Sequence, residues 1–275
     1  MHEKSDRQDA GKVADAIAGT LKKYGAHFAF GIPGNDVLET VRACEAQGIE
    51  FILGKSEPSC AFMADAVYQL TGAPVALIPA LGPGISNAMS GIAGAMQERS
   101  AVLVLSGEMA SANMGIYNHQ VFDHVALARP VTKYAEQLNP MRAAQQVAKA
   151  LDIALAYPAG PVLLNVPADH SRADAASEED FQPARIGATA LVPDEAARLG
   201  KMLASAKRPL LLAGRGALRV AFPVIGPVAE RVAVPGGLGG ERGQAEFIPD
   251  LTRTLHVLAR RQGERRHRLL LRGID

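Results

Sequence analysis

Between residues 10 and 166 the chain alternates two kinds of hydrophobic pattern. Stretches of helical period at 10–24, 35–47, 57–71, 84–98 and 140–156 predict helices. Short apolar or β-branched runs at 27–30, 51–53, 75–79, 102–105, 131–134 and 162–166 lie between them and predict strands. Strands without polar alternation are buried on both faces, and strands that alternate with helices pair in parallel. Right-handed crossovers then place helices on both sides of the sheet. The expected fold class is α/β, a doubly wound, mostly parallel six-stranded sheet followed by an incomplete second α/β unit.

The first domain is expected over 1–171. Residues 172–190 (RADAASEEDFQPARIGATA) are polar and carry no apolar period, which predicts a linker. A helix at 193–206, a strand at 209–213 and the turn Gly214-Arg215-Gly216 open a partial second unit over 191–234. That turn resembles the start of a dinucleotide fingerprint, but Arg219 stands where the third glycine belongs. From Pro235 the pattern changes to a glycine run and then an arginine-rich stretch, so 235–275 is expected to be a poorly structured tail.

In a doubly wound sheet, ligands bind beyond the carboxyl ends of the strands. Those ends carry Gly31-Ile32-Pro33-Gly34-Asn35, Gly54-Lys55-Ser56-Glu57, Ala80-Leu81-Gly82-Pro83-Gly84 and Ser106-Gly107-Glu108. All lie on one edge, which is the candidate site.

Composition narrows the function classes. The 275 residues are 48% hydrophobic, enough for a core, and the formal net charge of +1 favours neither nucleic acid nor a membrane surface. The two cysteines, Cys44 and Cys60, form no CxxC and no zinc spacing, and no metal site is expected. The charged N-terminus lacks the apolar stretch of a signal peptide, and no run reaches the roughly 18 apolar residues that span a bilayer. The expected location is cytoplasmic.

Glu57 has two readings. Ser56 caps a helix, Pro58 suits its first turn, and a carboxylate there gains about 0.3–1 kcal/mol from the helix dipole. Alternatively, an apolar setting raises the carboxyl pKa so that Glu57 shares a proton with a ring nitrogen of a ligand. Gly82-Pro83-Gly84 is likewise either a tight turn or a close approach of backbone to a ligand, with free N–H groups on the following helix and Asn87 one turn on.

Five stretches, in order, carry a family resemblance: "FGIPGNDVLE" (30–39), "SEPSCAFMADAVYQLTG" (56–72), "GPGISNAMSGIAGA" (82–95), "HQVFDHVALARPVTK" (119–133) and "GPVLLNVPADH" (160–170). Residues 10–170 resemble the N-terminal, pyrimidine-binding domain of the thiamine-diphosphate enzymes, in the acetolactate synthase, pyruvate oxidase and benzoylformate decarboxylase group. The resemblance implies thiamine diphosphate as cofactor and a 2-keto acid as substrate, with decarboxylation, with or without carboligation. It matches Glu57 to the catalytic glutamate, which hydrogen-bonds N1′ of the aminopyrimidine. It places Gly82, Pro83, Gly84 and Asn87 by the pyrimidine, and Pro33, Gly34 and Asn35 along the same cleft. Gln120 matches a glutamine that faces substrate, and Lys133 a lysine near the substrate channel. Ser56 and Val121 stand where the family often has His and Glu, which bears on the substrate more than on the cofactor. His119 and His124 flank Gln120, either as solvated loop residues or as groups that position a carboxylate or relay a proton.

The family holds the diphosphate through Mg2+ on a Gly-Asp-Gly…Asn motif in a separate C-terminal domain, and no Gly-Asp-Gly occurs in this sequence. "AKRPLLLAGRGA" (206–217) resembles the opening strand of the family's central domain, which leaves FAD undecided. Three readings follow. The chain is the front of a longer enzyme, cut or frame-shifted near Pro235, or it works with a separate diphosphate-binding subunit. The third is a catalytically incompetent or non-catalytic binding or regulatory homologue. Active sites of this family form between subunits, so a homo-oligomer, dimer or tetramer, is implied.

Overall fold

A computed structural model describes residues 11–118, 120–176, 192–205, 210–214 and 254–258. The first unit is built on strands β1 (Phe28–Ile32), β2 (Glu50–Leu53), β3 (Val75–Pro79), β4 (Val102–Glu108), β5 (Tyr134–Gln137) and β6 (Val162–Pro167). They form one six-stranded sheet in the order β2-β1-β3-β4-β6-β5, with every pairing parallel. Strands β3, β4 and β6 are buried along their whole length, as their largely apolar sequences require.

Helices α1 (Val13–Lys23), α2 (Leu38–Ala46), α3 (Glu57–Thr71), α4 (Pro83–Gln97), α5 (His124–Ala128), α6 (Ala143–Leu155) and α7 (Ala168–Arg172) cover the sheet. The step from β1 to β2 runs one way along the sheet, and the step from β2 to β3 runs back over β1. Right-handed crossovers therefore put α2 and α3 on opposite faces. Helix α1 packs between α2 and α6 on one face; α3 packs against α4 on the other. The direction of winding reverses between β1 and β3, which opens a crevice at the carboxyl edge there.

Local chemistry sets α3 in place. The Ser56 hydroxyl accepts the Ser59 N–H at 3.4 Å, Pro58 stands in the first turn, and Gly72 closes the helix in the left-handed region at φ +73°. A Cβ at Gly91 would overlap that of Ala61 and lie 3.0 Å from the Pro58 carbonyl oxygen, so α4 approaches α3 at backbone distance. Both cysteines are buried, and burial pushes the Cys44 thiol up to about 12.

The structure moves some predicted boundaries. Strand β5 starts at Tyr134 rather than spanning 131–134. Arg129–Val131 form a 3-10 turn with Pro130 in it, and the Thr132 hydroxyl donates to the Ala128 carbonyl at 2.9 Å, which holds the chain out of the sheet until Tyr134. Strand β4 runs on through Ser106, Gly107 and Glu108, all buried. Helix α6 starts at Ala143, after a 3-10 turn at Pro140–Arg142.

The first residues of the expected linker lie along the start of the chain: Val13 N–H donates to the Ala173 carbonyl at 3.0 Å and Ala175 N–H to Gly11 at 2.8 Å. Residues 177–190 of that linker lie outside the described residues. The chain divides into two compact units after Ile186. In the second, helix α8 (Pro193–Ser205) is described, and β7 (Leu210–Gly214) pairs antiparallel with β8 (Thr254–Leu258). Strand β8 falls in the expected tail; the rest of 235–275, with Arg215, Gly216 and Arg219, lies outside the described residues. Among the described residues no helix is long and apolar enough to cross a membrane.

Candidate active site

Glu57 is the first residue of α3, directly beyond the end of β2. The tight α3–α4 contact brings the start of α4 to it. Asn87 Nδ2 donates to Glu57 Oε2 at 3.4 Å, and a Cβ at Gly84 would lie 3.7 Å from Glu57 Oε1. Glycine at 84 thus stands within van der Waals distance of one carboxyl oxygen while Asn87 holds the other. Glu57 is half-buried, and among the described residues Asn87 is the one side chain that hydrogen-bonds it.

Gly82 precedes α4 at φ +62°, ψ −112°, a conformation that glycine adopts without strain. Its missing side chain admits Gln120, whose Cβ would be 2.6 Å from a Cβ at 82. Gln120 itself lies at φ +60° with an exposed side chain. Across the crevice, a Cβ at Gly34 would overlap Asp36 Oδ1 and lie 3.0 Å from Ala80 Cβ. The β1 and β3 connections therefore touch, and Pro33, Gly34 and Asn35 line the same edge as Gly82 and Gly84.

Lys133 stands apart from this group within the chain. It precedes β5, at the amino end of a strand parallel to its neighbour β6, so it lies on the opposite edge of the sheet. Its ammonium donates to the Ile153 carbonyl and, at 2.6 Å, to the Ala156 carbonyl at the end of α6. Burial lowers its pKa. His119 lies outside the described residues. His124 is neither a solvated loop residue nor exposed to a cleft: it opens α5 and is 1% exposed.

Asp36 and Asn165 escaped the sequence reading, as did the contacts that join them to His124, Ser106 and Glu108. Leu81 N–H donates to Asp36 Oδ2 at 2.9 Å, and Gly82 N–H to His124 Nε2 at 3.2 Å. Behind His124 lie Ser106, Glu108 and Asn165, all buried. The available signal was polar residues, Ser106, Glu108 and Asn165, within otherwise apolar strands, since a buried polar group in a sheet requires a partner. Among the described residues no group of three His, Cys, Asp or Glu is placed to hold a metal ion.

Burial holds the Asp36 carboxyl above its ordinary value of 3.8, against the hydrogen bonds that lower it. The folded chain therefore binds this proton more tightly than the unfolded chain. Its contribution to stability is present below the ordinary value and is lost as pH rises through the raised one. Asp36→Asn keeps an oxygen for the Leu81 N–H and removes this titration. Urea midpoints across acid pH should show Asn gaining on the parent as pH rises through that window; a difference independent of pH would contradict the assignment.

Comparison with known proteins fits this geometry. Residues 11–127 match the family described as thiamine pyrophosphate enzyme, N-terminal TPP binding domain. A probable 2-ketoarginine decarboxylase of Pseudomonas aeruginosa is 32% identical over 228 residues, covering 81% of this chain and 41% of the relative. An acetolactate synthase of Bacillus subtilis is 34% identical over 157 residues, covering 57% of this chain and 28% of the relative. The chain thus spans less than half the length of these curated relatives. The fold is shared with a thiamine diphosphate-dependent 4-hydroxybenzoylformate decarboxylase of Rhodococcus jostii RHA1, at a TM-score of 0.71 and 23% identity, covering 82% of this chain and 44% of that one. Residues 11–127 are thus identified as a thiamine pyrophosphate enzyme N-terminal TPP-binding domain.

Proposed function

We propose that this chain is the N-terminal part, or one subunit, of a thiamine-diphosphate-dependent enzyme that acts on a 2-keto acid, by decarboxylation with or without carboligation. The observation that carries the reading is the half-buried Glu57 carboxyl at the carboxyl edge of the sheet, with Oε2 held by Asn87 and Oε1 beside Gly84. Glycine at 84 sets backbone, and no side chain, next to that oxygen, which suits the approach of a flat nitrogen heterocycle. The residues present therefore fit the aminopyrimidine half of the cofactor.

Thiamine diphosphate, held by these residues, would supply a nucleophilic carbon and an electron sink for loss of CO2 from a 2-keto acid. The chain's residues do the rest. Glu57 holds and returns a proton at the ring nitrogen, and its place on a rigid helix fixes the distance. Gly82, Pro83 and Gly84 bring backbone against the ring, and Pro33, Gly34 and Asn35 close the opposite side of the crevice. Gln120, beside Gly82, faces the substrate. Lys133, on the far edge, serves the end of α6 within this chain. We assign the diphosphate and its Mg2+ to a further domain, in the same or a second chain, because these 275 residues carry no Gly-Asp-Gly. A second copy covers the α3–α4 face, where Phe62 and Leu70 are exposed.

The test supplies the chain with a diphosphate-binding domain, in cis or in trans, together with thiamine diphosphate and Mg2+. CO2 release from a panel of 2-keto acids is then followed. Release that depends on the cofactor supports the reading. A complex that neither binds thiamine diphosphate nor releases CO2 from any of them overturns it.

A further inference from the structure

His124 is a fully buried titratable group near the site, and the chemistry above does not use it. Its side chain is 0% exposed. Nε2 accepts the Gly82 N–H at 3.2 Å, so that nitrogen presents its lone pair and the ring proton sits on Nδ1. Nδ1 then donates to Asn165 Oδ1 at 2.9 Å, with Ser106 Oγ at 3.3 Å. Asn165 Nδ2 donates to Glu108 Oε2 at 3.0 Å, and Glu108 Oε1 accepts the Met109 N–H at 2.9 Å. Each donor in this relay meets an acceptor, from the backbone of the β3–α4 turn through α5 and β6 to the end of β4. Two carboxyls face the imidazole: Glu108, with Oε2 3.4 Å from Nδ1, and Asp36 from the β1–α2 connection.

We propose that His124 is a positioning residue: as a neutral Nδ1–H imidazole it fixes the Leu81–Gly82 turn, and with it the start of α4, from which Gly84 and Asn87 meet Glu57. The chain of contacts is direct. Asp36 takes the N–H of Leu81 and His124 takes the next one, so two consecutive amides of the turn are held by side chains from two different segments, the β1–α2 connection and α5. The Gly82 carbonyl in turn accepts the Ser86 N–H at 3.1 Å in the first turn of α4. The other tautomer, or a second proton, would set an N–H against the Gly82 N–H and expel the turn. Glu108 and Asn165 act one step further back: by accepting from Asn165, Glu108 turns the amide oxygen toward Nδ1 and so selects the tautomer.

This inference rests on the cofactor reading for its purpose but not for its test, which requires no cofactor. Long-range proton–nitrogen spectra of the full chain at neutral pH are expected to show His124 with a protonated Nδ1 and an unprotonated Nε2. Amide exchange of Leu81 and Gly82 in His124→Phe is expected to be at least tenfold faster than in the parent, while the amides of Leu103 and Val104 keep their protection. His124→Gln, whose side-chain oxygen reaches toward the place of Nε2, is expected to restore the slow exchange. An Nε2–H tautomer or an imidazolium would overturn the proposal. So would unchanged exchange in the Phe variant, or a folded Gln variant that exchanges as fast as the Phe one. If the Phe variant does not fold, the tautomer and the Gln variant decide between the same outcomes. Loss of thiamine diphosphate binding by the parent would remove the cofactor reading and leave these results standing.

Discussion

Glu57→Gln is expected to lower turnover of the complete enzyme by about 10²–10⁴-fold, the range that a positioned acid–base group contributes. Glutamine keeps the shape of the side chain and can still meet Asn87, but it neither takes nor returns a proton at the ring nitrogen. The fold should be nearly unaffected. Ser56 still caps the helix, and only the dipole interaction of the carboxylate is lost, about 0.3–1 kcal/mol. The pair of measurements is kcat with saturating cofactor and a urea midpoint on the same sample. Near-normal turnover would remove Glu57 from the mechanism. A collapse of stability alongside turnover would make it a helix cap and nothing more.

Gly31→Ala is expected to destabilise the first unit by about 2–3 kcal/mol, toward the upper end for overpacking a core. Gly31 pairs with Leu53 on one side and Ile78 on the other, at the point where the winding reverses. A Cβ there would overlap the Ile78 carbonyl oxygen and lie 3.0 Å from its carbon. Both are backbone atoms of a central strand, so β1 and β3 must part for the methyl to enter. The contrast is Gly34→Ala, where the overlapping atom is Asp36 Oδ1, a side-chain and not a backbone atom. Urea midpoints should fall clearly further for Gly31→Ala than for Gly34→Ala. A loss below about 0.5 kcal/mol at 31 would mean that the strands accommodate the methyl, contrary to the tight packing expected of a core.

The candidate site was partly legible in the sequence for a physical reason. Ser56-Glu57-Pro58 and Gly82-Pro83-Gly84 are local devices, a helix cap and a tight turn, and each follows directly on an apolar strand. Their neighbours in the chain determine their conformation, so spacing alone places them on one edge. His124 shows the opposite case. Set among Phe122, Asp123 and Val125, it looks like any loop histidine, and nothing local tells of Asn165, 41 residues on, or of Gly82, 42 residues back. Lys133 is a third case. The resemblance matches it to a lysine near the substrate channel; within this chain its position before β5 sends its ammonium to the end of α6.

The apolar pattern by itself determined that β1, β3, β4 and β6 are buried strands flanked by helices, because strands covered on both faces are apolar along most of their length. It misplaced β5, an edge strand of sequence YAEQ that is half exposed and so carries no such signal. The order β2-β1-β3-β4-β6-β5 was decided only by the tertiary structure. That order sets β4 beside β6, which joins Glu108 to Asn165, and β1 beside β3, which joins Asp36 to Leu81. Strand neighbours are chosen by long-range packing, and a one-dimensional pattern records which residues are buried but not which buried residues meet.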